Sequence, residues 1–286
     1  MAASIQPIRP QLLGLVQHTF SDRYHVEREI GRGGDARVFL AYDRAGRKVA
    51  LKILHPEFLE SVVAERFLRE IKLVSRLNHP RIAGLLDSGE RDWFVYLAMA
   101  FIDGPTLREA LGSGRKLSVA DTLRVARDLL DALGHAHEIG IVHRDVKPEN
   151  VVISPGLGAV LLDFGIARAI VTSISREITR AGLTVGSSSY MSPEQINGDR
   201  MIDGRSDLYS VGCLLFECLA GRPPFVWRKE AVVLQLHLTE PAPDVRTIRP
   251  DVPPDLANAI TKALAKLPED RWQSAGEMQD VLARVA

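Results

Sequence analysis

The stretch that decides the fold reads His143-Arg144-Asp145-Val146-Lys147-Pro148-Glu149-Asn150, and Asp163-Phe164-Gly165 follows it closely. It contains a carboxylate that could accept a proton, Asp145, and a cation two residues later, Lys147. Asn150 and Asp163 offer oxygen atoms, the hard ligands that Mg²⁺ prefers. Transfer of a phosphoryl group needs such a metal site, a group that orients the attacking hydroxyl, and accurate positioning. The two segments together therefore indicate phosphoryl transfer.

These segments resemble the catalytic loop and the magnesium-binding loop of the eukaryotic-like protein kinases, and a lysine two residues after the aspartate is typical of the serine/threonine members. Segments similar to other parts of these kinases follow in the same order from Tyr24 to Val285. Three of them resemble the bacterial members: Gly-Arg-Gly-Gly at residues 31–34, Tyr-Met-Ser-Pro-Glu-Gln at 190–195 and Gly-Arg-Ser-Asp-Leu-Tyr-Ser-Val-Gly at 204–212. The sequence is therefore identified as a member of the bacterial Hanks-type serine/threonine protein kinases.

The resemblance implies an α+β fold, the two-lobed protein kinase fold. A small lobe at residues 24–101 would hold a small antiparallel β-sheet with one long helix. A hinge at residues 100–104 would lead into a larger, mainly helical lobe at residues 105–286. Residues 1–23 would form an N-terminal extension, whose apolar side chains either pack on the small lobe or mediate contacts with other molecules.

The composition is that of an ordinary globular protein. The 286 residues suffice for one large or two modest domains, with 46% apolar and 25% charged residues. Because 36 basic and 36 acidic side chains cancel, nucleic acid and anionic membranes are not expected as partners. No apolar run approaches the ~18 residues that cross a bilayer, and residues 1–20 lack the pattern of a secretory signal. Two cysteines are too few to cross-link a secreted protein, so we expect a cytoplasmic location, alone or as part of a longer membrane-anchored receptor kinase.

Apolar periodicity predicts a sheet followed by helices. Alternating residues predict three strands between residues 24 and 54, and two short apolar runs predict further strands at residues 82–86 and 93–100. Helices are predicted at residues 61–77, 119–139 and 206–219, and the pattern stays mostly helical to residue 286. Residues 151–153 and 159–162 are predicted to form a hairpin.

A glycine cluster lies between the first two predicted strands. Gly31, Gly33 and Gly34 would let backbone N–H groups approach phosphates without an intervening Cβ. A glycine-rich hairpin turn would look the same, but a strand on each side excludes the dinucleotide-binding fingerprint, which opens a helix. The resemblance makes this the glycine-rich loop over ATP, with Ala36 in place of the third glycine and hence a stiffer loop.

The resemblance also assigns a nucleotide pocket. The Ala100 carbonyl and the Ile102 N–H would bind the adenine edge, with Met99 at the back of the pocket. The alternative is simply a strand that runs into a linker. The residues assigned to nucleotide binding are Ile30, Gly31, Arg32, Gly33, Gly34, Val38, Ala50, Lys52, Met99, Ala100, Ile102 and Val152.

Lys52 on the third strand and Glu70 on the predicted helix are interpreted together. A lone strand lysine is usually a solvated surface residue. Glu70, however, falls on the inward face of the helix, where an unpaired carboxylate is costly. An ion pair between Lys52 and Glu70 would give each charge a partner. The resemblance implies that this pair orients Lys52 towards the α- and β-phosphates. The resemblance thus gives Asp145, Lys147, Lys52 and Glu70 as the catalytic set, and Asn150 and Asp163 as metal ligands.

Other residues receive supporting roles. His143 could act as a general base, but the resemblance favours a packed structural histidine. Arg144 would pair with a phosphorylated residue of the Ser/Thr-rich segment at residues 167–190, although a polar surface loop has the same composition. The resemblance further pairs Glu194 with Arg271. It also makes Asp207 the support of the catalytic loop, where a plain helix-start carboxylate is the alternative.

The resemblance implies a serine/threonine protein kinase that uses ATP with Mg²⁺, or Mn²⁺, and autophosphorylates its activation segment. Its partners would be proteins with Ser or Thr acceptors and a second copy of itself during autophosphorylation, with no nucleic acid and no membrane segment in this chain. Two alternatives stay open: a pseudokinase that binds nucleotide without turnover, and a small-molecule phosphotransferase of related fold. The complete catalytic set disfavours the first, and the Ser192-Pro193-Glu194 anchor disfavours the second.

Overall fold

The computed structural model describes residues 9–33, 36–54, 71, 74–92, 94–164 and 188–285. The chain divides into two compact units, one with residues 1–75 and 84–101 and the other with residues 76–83 and 102–286. The division after Phe101 falls within the predicted hinge. Residues 76–83 group with the second unit because the backbone there bonds to Leu161: Ala83 N–H donates to the Leu161 carbonyl at 2.9 Å.

The first unit is a five-stranded antiparallel sheet with one N-terminal helix. Its elements are α1 (Arg9–Phe20), β1 (Tyr24–Arg32), β2 (Ala36–Asp43), β3 (Lys48–Leu54), β4 (Leu85–Arg91) and β5 (Phe94–Ala100), and the strands lie in the order β1-β2-β3-β5-β4. The strand expected at residues 82–86 is wrong in position. Ile82 forms only an isolated bridge to Leu161, so the strand starts at Leu85 instead.

The core of this unit lies on one face of the sheet, and α1 covers that face. Strand residues such as Leu51 and Tyr96 are buried there together with Val16 and Phe20 of the helix. The Phe20 ring lies 4.9 Å from the Tyr96 ring, centroid to centroid, in an edge-on arrangement. Burial of such a side chain stabilises the fold by about 1.5–3 kcal/mol. The N-terminal segment therefore packs on the sheet, although Leu15 points outward.

The second unit is mainly helical. Its elements are α2 (Leu107–Leu111), α3 (Val119–Glu138), β6 (Val151–Ser154), β7 (Gly158–Leu161), α4 (Pro193–Asn197), α5 (Gly204–Ala220), α6 (Glu230–Thr239), α7 (Pro254–Ala263) and α8 (Ala275–Leu282). The predicted hairpin and the helix predicted at residues 119–139 are confirmed, the latter within one residue. Gly140 follows α3 with φ 78°, a left-handed conformation that glycine adopts without strain.

Helix α5 forms the centre of this unit. Every residue from Ser206 to Ala220 is buried, including the carboxylates of Asp207 and Glu217. Cys213 and Cys218 are free and buried, and burial raises the pKa of both thiols, so neither is a reactive thiolate. Among the described residues, no helix is both long and apolar enough to cross a membrane.

Candidate active site

The second unit brings Asp145, Lys147 and Asn150 together. The chain makes a short 3₁₀ turn at Pro148–Asn150, which turns the Asn150 side chain back onto the loop. Its Nδ2 donates to the Asp145 carbonyl at 2.8 Å and to the Asp145 Oδ2 at 3.0 Å. Lys147 Nζ lies 2.7 Å from the same Oδ2. The three side chains that the sequence analysis grouped are therefore in contact, with the Asp145 carboxylate fixed from two sides.

Asp207 at the start of α5 supports this loop. Its two carboxylate oxygens accept the backbone N–H groups of His143 and Arg144, each at 2.8 Å, and His137 Nε2 lies 2.8 Å from Oδ2. The Asp207 side chain is fully buried. Arg144 has φ 65°, a conformation that costs about 1–3 kcal/mol unless its surroundings hold it. The support predicted for Asp207 is confirmed, and it stabilises a strained residue directly before Asp145.

His143 is a packed structural residue. It is fully buried, its Nε2 lies 2.7 Å from the Leu162 carbonyl oxygen, and its ring lies 4.7 Å from the Phe164 ring. Burial lowers the pKa of His143 below its ordinary value, so the ring is neutral at neutral pH. Its Nδ1 accepts the N–H of Asp145 at 3.2 Å. Both ring nitrogens are thus engaged by backbone groups, and the general-base interpretation is wrong.

Asp163 and Asn150 belong to neighbouring segments. The Leu162 N–H donates to the Asn150 carbonyl at 2.8 Å, which joins the two segments one residue before Asp163. Asp163 has φ 35°, a second non-glycine residue in an unfavourable backbone conformation. Because the Asn150 amide nitrogen donates to Asp145, its Oδ1 is the atom suited to a cation. Within the described ranges, no three His, Cys, Asp or Glu side chains form a metal cluster. Two protein oxygens completed by phosphate and water fit Mg²⁺, which seldom takes an all-protein cage.

In the first unit, the residues predicted to face the nucleotide share one face of the sheet. Lys52 pairs with Val38 on one side, and Ala50 pairs with Met99 on the other. Directly paired and alternate strand residues point to the same side, so these four form one surface, opposite to the face that α1 covers. Gly31 pairs with Val38 and extends that surface to β1.

Two parts of the predicted site are only partly described. Gly33 N–H donates to the Ala36 carbonyl at 2.9 Å, which continues the pairing of β1 with β2, while Gly34 lies outside the described residues. Glu70 and the Ser/Thr-rich segment before Ser188 also lie outside them. The Lys52–Glu70 pair, the adenine contacts of Ala100 and Ile102, and the contact of Arg144 with a phosphorylated residue therefore stay predictions.

The linker enters the second unit against the β6–β7 hairpin, which carries Val152. The Ile153 N–H donates to the Pro105 carbonyl at 2.8 Å. Gly104 has φ 141°, and a Cβ there would lie 2.3 Å from the Ile153 carbonyl oxygen. Only glycine fits at this point. Val152 itself is buried on β6.

The predicted Glu194–Arg271 pair is confirmed. Arg271 Nη1 and Nη2 donate to the two Glu194 oxygens at 2.7 and 2.8 Å, and the Ser206 hydroxyl donates to the same carboxylate. Both partners are buried. Burial alone would raise the pKa of Glu194, but the bonds from Arg271 and Ser206 lower it below its ordinary value. This pair anchors the segment that follows Tyr190.

One cluster beside the Asp145 loop was missed by sequence reasoning. Arg108 on α2 donates to Glu149, to Glu217 and to the Tyr190 hydroxyl, at 2.7, 2.7 and 2.6 Å. Glu149 and Tyr190 lie in motifs that the sequence analysis quoted, at residues 143–150 and 190–195, whereas Arg108 and Glu217 do not. The partners are 41, 109 and 82 positions away from Arg108, and no local pattern encodes such pairs.

Comparison with known proteins agrees with this geometry. The protein kinase domain family matches residues 24–283. A probable serine/threonine-protein kinase of Streptomyces coelicolor, SCO3848, is 42% identical over 264 residues, which are 90% of this chain and 39% of that protein. The serine/threonine-protein kinases PknB of Mycolicibacterium smegmatis and Mycobacterium tuberculosis are each 39% identical, over 94% and 93% of this chain and 44% and 43% of theirs.

The crystal structure of Rad53 residues 1–466 in complex with AMP-PNP superposes with a TM-score of 0.75 at 23% identity, over 93% of this chain and 67% of that one. The chain belongs to the protein kinase domain family, and the predicted kinase fold is confirmed. The chain spans about two fifths of the length of the curated relatives.

Proposed function

We propose that this protein is a serine/threonine protein kinase that transfers the γ-phosphoryl group of ATP to Ser or Thr hydroxyls of proteins. The observation that carries the proposal is the Asp145 carboxylate, fixed by Lys147 at 2.7 Å and by Asn150 at 3.0 Å. A carboxylate oriented in this way can position an acceptor hydroxyl. The curated relatives, all named serine/threonine-protein kinases, support the same reaction.

In the proposed reaction, the acceptor oxygen forms a bond to the γ-phosphorus while the bond to the bridging oxygen breaks, and ADP leaves. Asp145 accepts the hydroxyl proton. Lys147 places a positive charge beside the oxygens of the transferring group, and Lys52 holds the α- and β-phosphates. Such positioning and charge stabilisation supply most of the catalysis in phosphoryl transfer. Bound Mg²⁺, held by Asn150 and Asp163, would neutralise phosphate charge.

The remaining assignments belong to the same proposal. Glu70 orients Lys52, the Ala100 carbonyl and Ile102 N–H hold adenine, and the glycine-rich strand pair covers the phosphates. The second unit supports a protein acceptor rather than a small alcohol, because the Glu194–Arg271 anchor fixes the segment that would line a peptide site. A cytoplasmic location and autophosphorylation between two copies complete the proposal. Nothing in the described residues favours a pseudokinase.

The test is transfer of label from γ-labelled ATP with Mg²⁺ to a generic protein substrate and to the chain itself. Asp145→Asn keeps the size of the side chain but removes the base, and we expect label to fall by at least about a hundredfold, as for loss of a general base. Asp251→Asn is the matched control, because Asp251 is an exposed carboxylate paired with Arg249. Equal labelling of wild type and Asp145→Asn would overturn the proposal.

A further inference from the structure

The Arg108 cluster, composed of Arg108, Glu149, Tyr190 and Glu217, is a built site in which one guanidinium is held by three oxygens. Arg108 Nε binds Glu149, Nη1 binds Glu217 and Nη2 binds the Tyr190 hydroxyl. The Tyr190 hydroxyl also donates to the second oxygen of Glu217. Each of the three guanidinium nitrogens therefore has an acceptor, the arrangement that makes arginine specific for carboxylate pairs.

The cluster is buried at one end and open at the other. The side chains of Glu217 and Tyr190 are almost fully buried, whereas those of Arg108 and Glu149 are 34% and 42% exposed. Burial raises the pKa of Tyr190 far above its ordinary value, so the phenol is neutral. Two carboxylates and one guanidinium then leave a single negative charge. Without Arg108, the same place would hold two negative charges with an opening to solvent.

The cluster borders the place where an acceptor peptide must approach. Glu149 lies four residues after Asp145, and four residues span at most about 14 Å. Tyr190 belongs to the segment that Gln195 ties to the catalytic loop, because Gln195 Nε2 donates to the Arg144 carbonyl at 2.8 Å. An extended peptide covers the same distance with about four residues. Side chains of the substrate within four positions of the acceptor can therefore reach Glu149.

We propose that Arg108 is a specificity-determining residue, whose guanidinium occupies the place between Glu149 and Glu217 that a basic substrate side chain would otherwise take. The inference rests on the proposed function. Arg108 already donates hydrogen bonds to both carboxylates. A basic side chain of the substrate could therefore reach only Glu149, which is half-exposed and already paired with Arg108. Exposed pairs of that kind contribute little. The enzyme therefore shows no preference for substrates that carry Arg or Lys near the acceptor.

The location of Arg108 is set by the local fold rather than by chance. Thr106 caps α2 through a reciprocal pair, in which its side chain accepts the Glu109 N–H and Glu109 accepts the Thr106 N–H. The preceding Gly104 and Pro105 contact Ile153. With the start of α2 fixed in this way, Arg108 is preorganised at the cluster, which lowers the ordering cost of its competition with a substrate cation.

The test uses pairs of peptides that differ only in Arg or Ala at one position, scanned over four positions on each side of a single Ser acceptor. For wild type, we expect the two kcat/KM values to agree within about threefold at every position, the range of an exposed ion pair. For Arg108→Ala, we expect the Arg peptide to be favoured by about tenfold or more at one or more positions, as for a charged hydrogen-bonded contact. Adding Glu149→Gln to Arg108→Ala should return the ratio to about threefold.

Each outcome has a separate meaning. Because both peptides are measured on the same protein, the ratio does not respond to a loss of fold stability. Transfer by Arg108→Ala with an unchanged ratio, or a tenfold preference already present in wild type, would overturn this inference alone. No transfer to any peptide by wild type would overturn the proposed function as well. Arg124→Ala, which removes an exposed arginine paired with Asp121, is the control and should behave as wild type.

A second variant covers the case in which Arg108→Ala does not fold because the buried Glu217 carboxylate loses its positively charged partner. Glu149→Gln alone alters the half-exposed end of the cluster and leaves Glu217 paired with Arg108. Since Arg108 already occupies Glu149, we expect the peptide ratio of this variant to stay within about twofold of wild type. A fall of about fivefold in the use of Arg peptides would show that Glu149 binds substrate directly and would overturn the inference.

Discussion

Arg271 gives the sharpest test of how the second unit is held together. Its buried guanidinium donates to both oxygens of Glu194, at 2.7 and 2.8 Å, and to the carbonyls of Ala265 and Lys266, each at 2.8 Å. Arg271→Ala would leave the Glu194 carboxylate, only 6% exposed, without its partner. Breaking a buried pair from one side costs about 3–5 kcal/mol. That is a large share of the ~5–15 kcal/mol by which a typical domain is stable.

The assay is equilibrium unfolding in urea, followed by circular dichroism, with the midpoint and slope compared between variants. Arg124→Ala is the matched control: Arg124 pairs with Asp121, its side chain is 65% exposed, and its loss should cost at most ~1 kcal/mol. A cost below about 1.5 kcal/mol for Arg271→Ala would refute the reasoning, because the buried carboxylate would then have found another partner or water.

The cost should also depend on pH, with a sign set by Glu194. The pKa of Glu194 is lowered in the folded protein: burial opposes this, but Arg271 and Ser206 outweigh burial. A carboxyl with a lowered folded pKa adds stability that is present above its unfolded pKa and is lost as pH falls through the folded pKa. In Arg271→Ala, burial favours the neutral acid, so protonation helps the variant. The difference between wild type and variant should therefore shrink from pH 7 to pH 4, and a difference that grows would contradict the assignment.

Other substitutions test the supports of the site. Asp207→Asn places an amide NH₂ against one of the N–H groups of His143 and Arg144. We therefore expect kcat in steady-state assays to fall about tenfold or more while the far-UV circular dichroism spectrum is unchanged. An unaltered kcat would contradict the proposed role of Asp207 in holding the loop. Gly104→Ala should lower the free energy of unfolding, measured in thermal melts, by about 1–3 kcal/mol, because φ is 141° and the new Cβ would meet the Ile153 carbonyl. Gly156→Ala is the control and should have little effect, because the space around Gly156 is open. Lys52→Met should remove detectable phosphoryl transfer and leave the fold intact; full activity in the folded variant would be inconsistent with phosphate binding by Lys52.

Local signals in the sequence predicted much of the second unit. The hairpin after Asn150 was predicted correctly, because turn residues and apolar alternation act over a few positions. Helix α3 was predicted within one residue from its apolar periodicity, and the structure shows that Ser118 caps its start and Gly140 follows its end. The contacts of Asp207 and the Glu194–Arg271 pair were predicted from the family resemblance, not from a local pattern of apolar or turn residues.

What the sequence could not predict depends on long-range partners. The apolar run at residues 82–86 predicts an extended backbone. It does not reveal that Ile82 bridges to Leu161 while β4 begins at Leu85. The position of α1 on the sheet depends on the shape of the face that receives Phe20. The Arg108 cluster joins four distant segments, so only the folded chain reveals it.

The packing of α1 on the sheet has a practical consequence for recombinant production. The family match begins at residue 24, and a protein cut there would lose Val16 and Phe20. The freed face would present Phe39, Leu51 and their neighbours to water as one continuous apolar surface. Surfaces of this kind promote aggregation in expression hosts. Clones that start ahead of Arg9 should therefore yield soluble protein, and clones that start at the domain boundary should yield inclusion bodies.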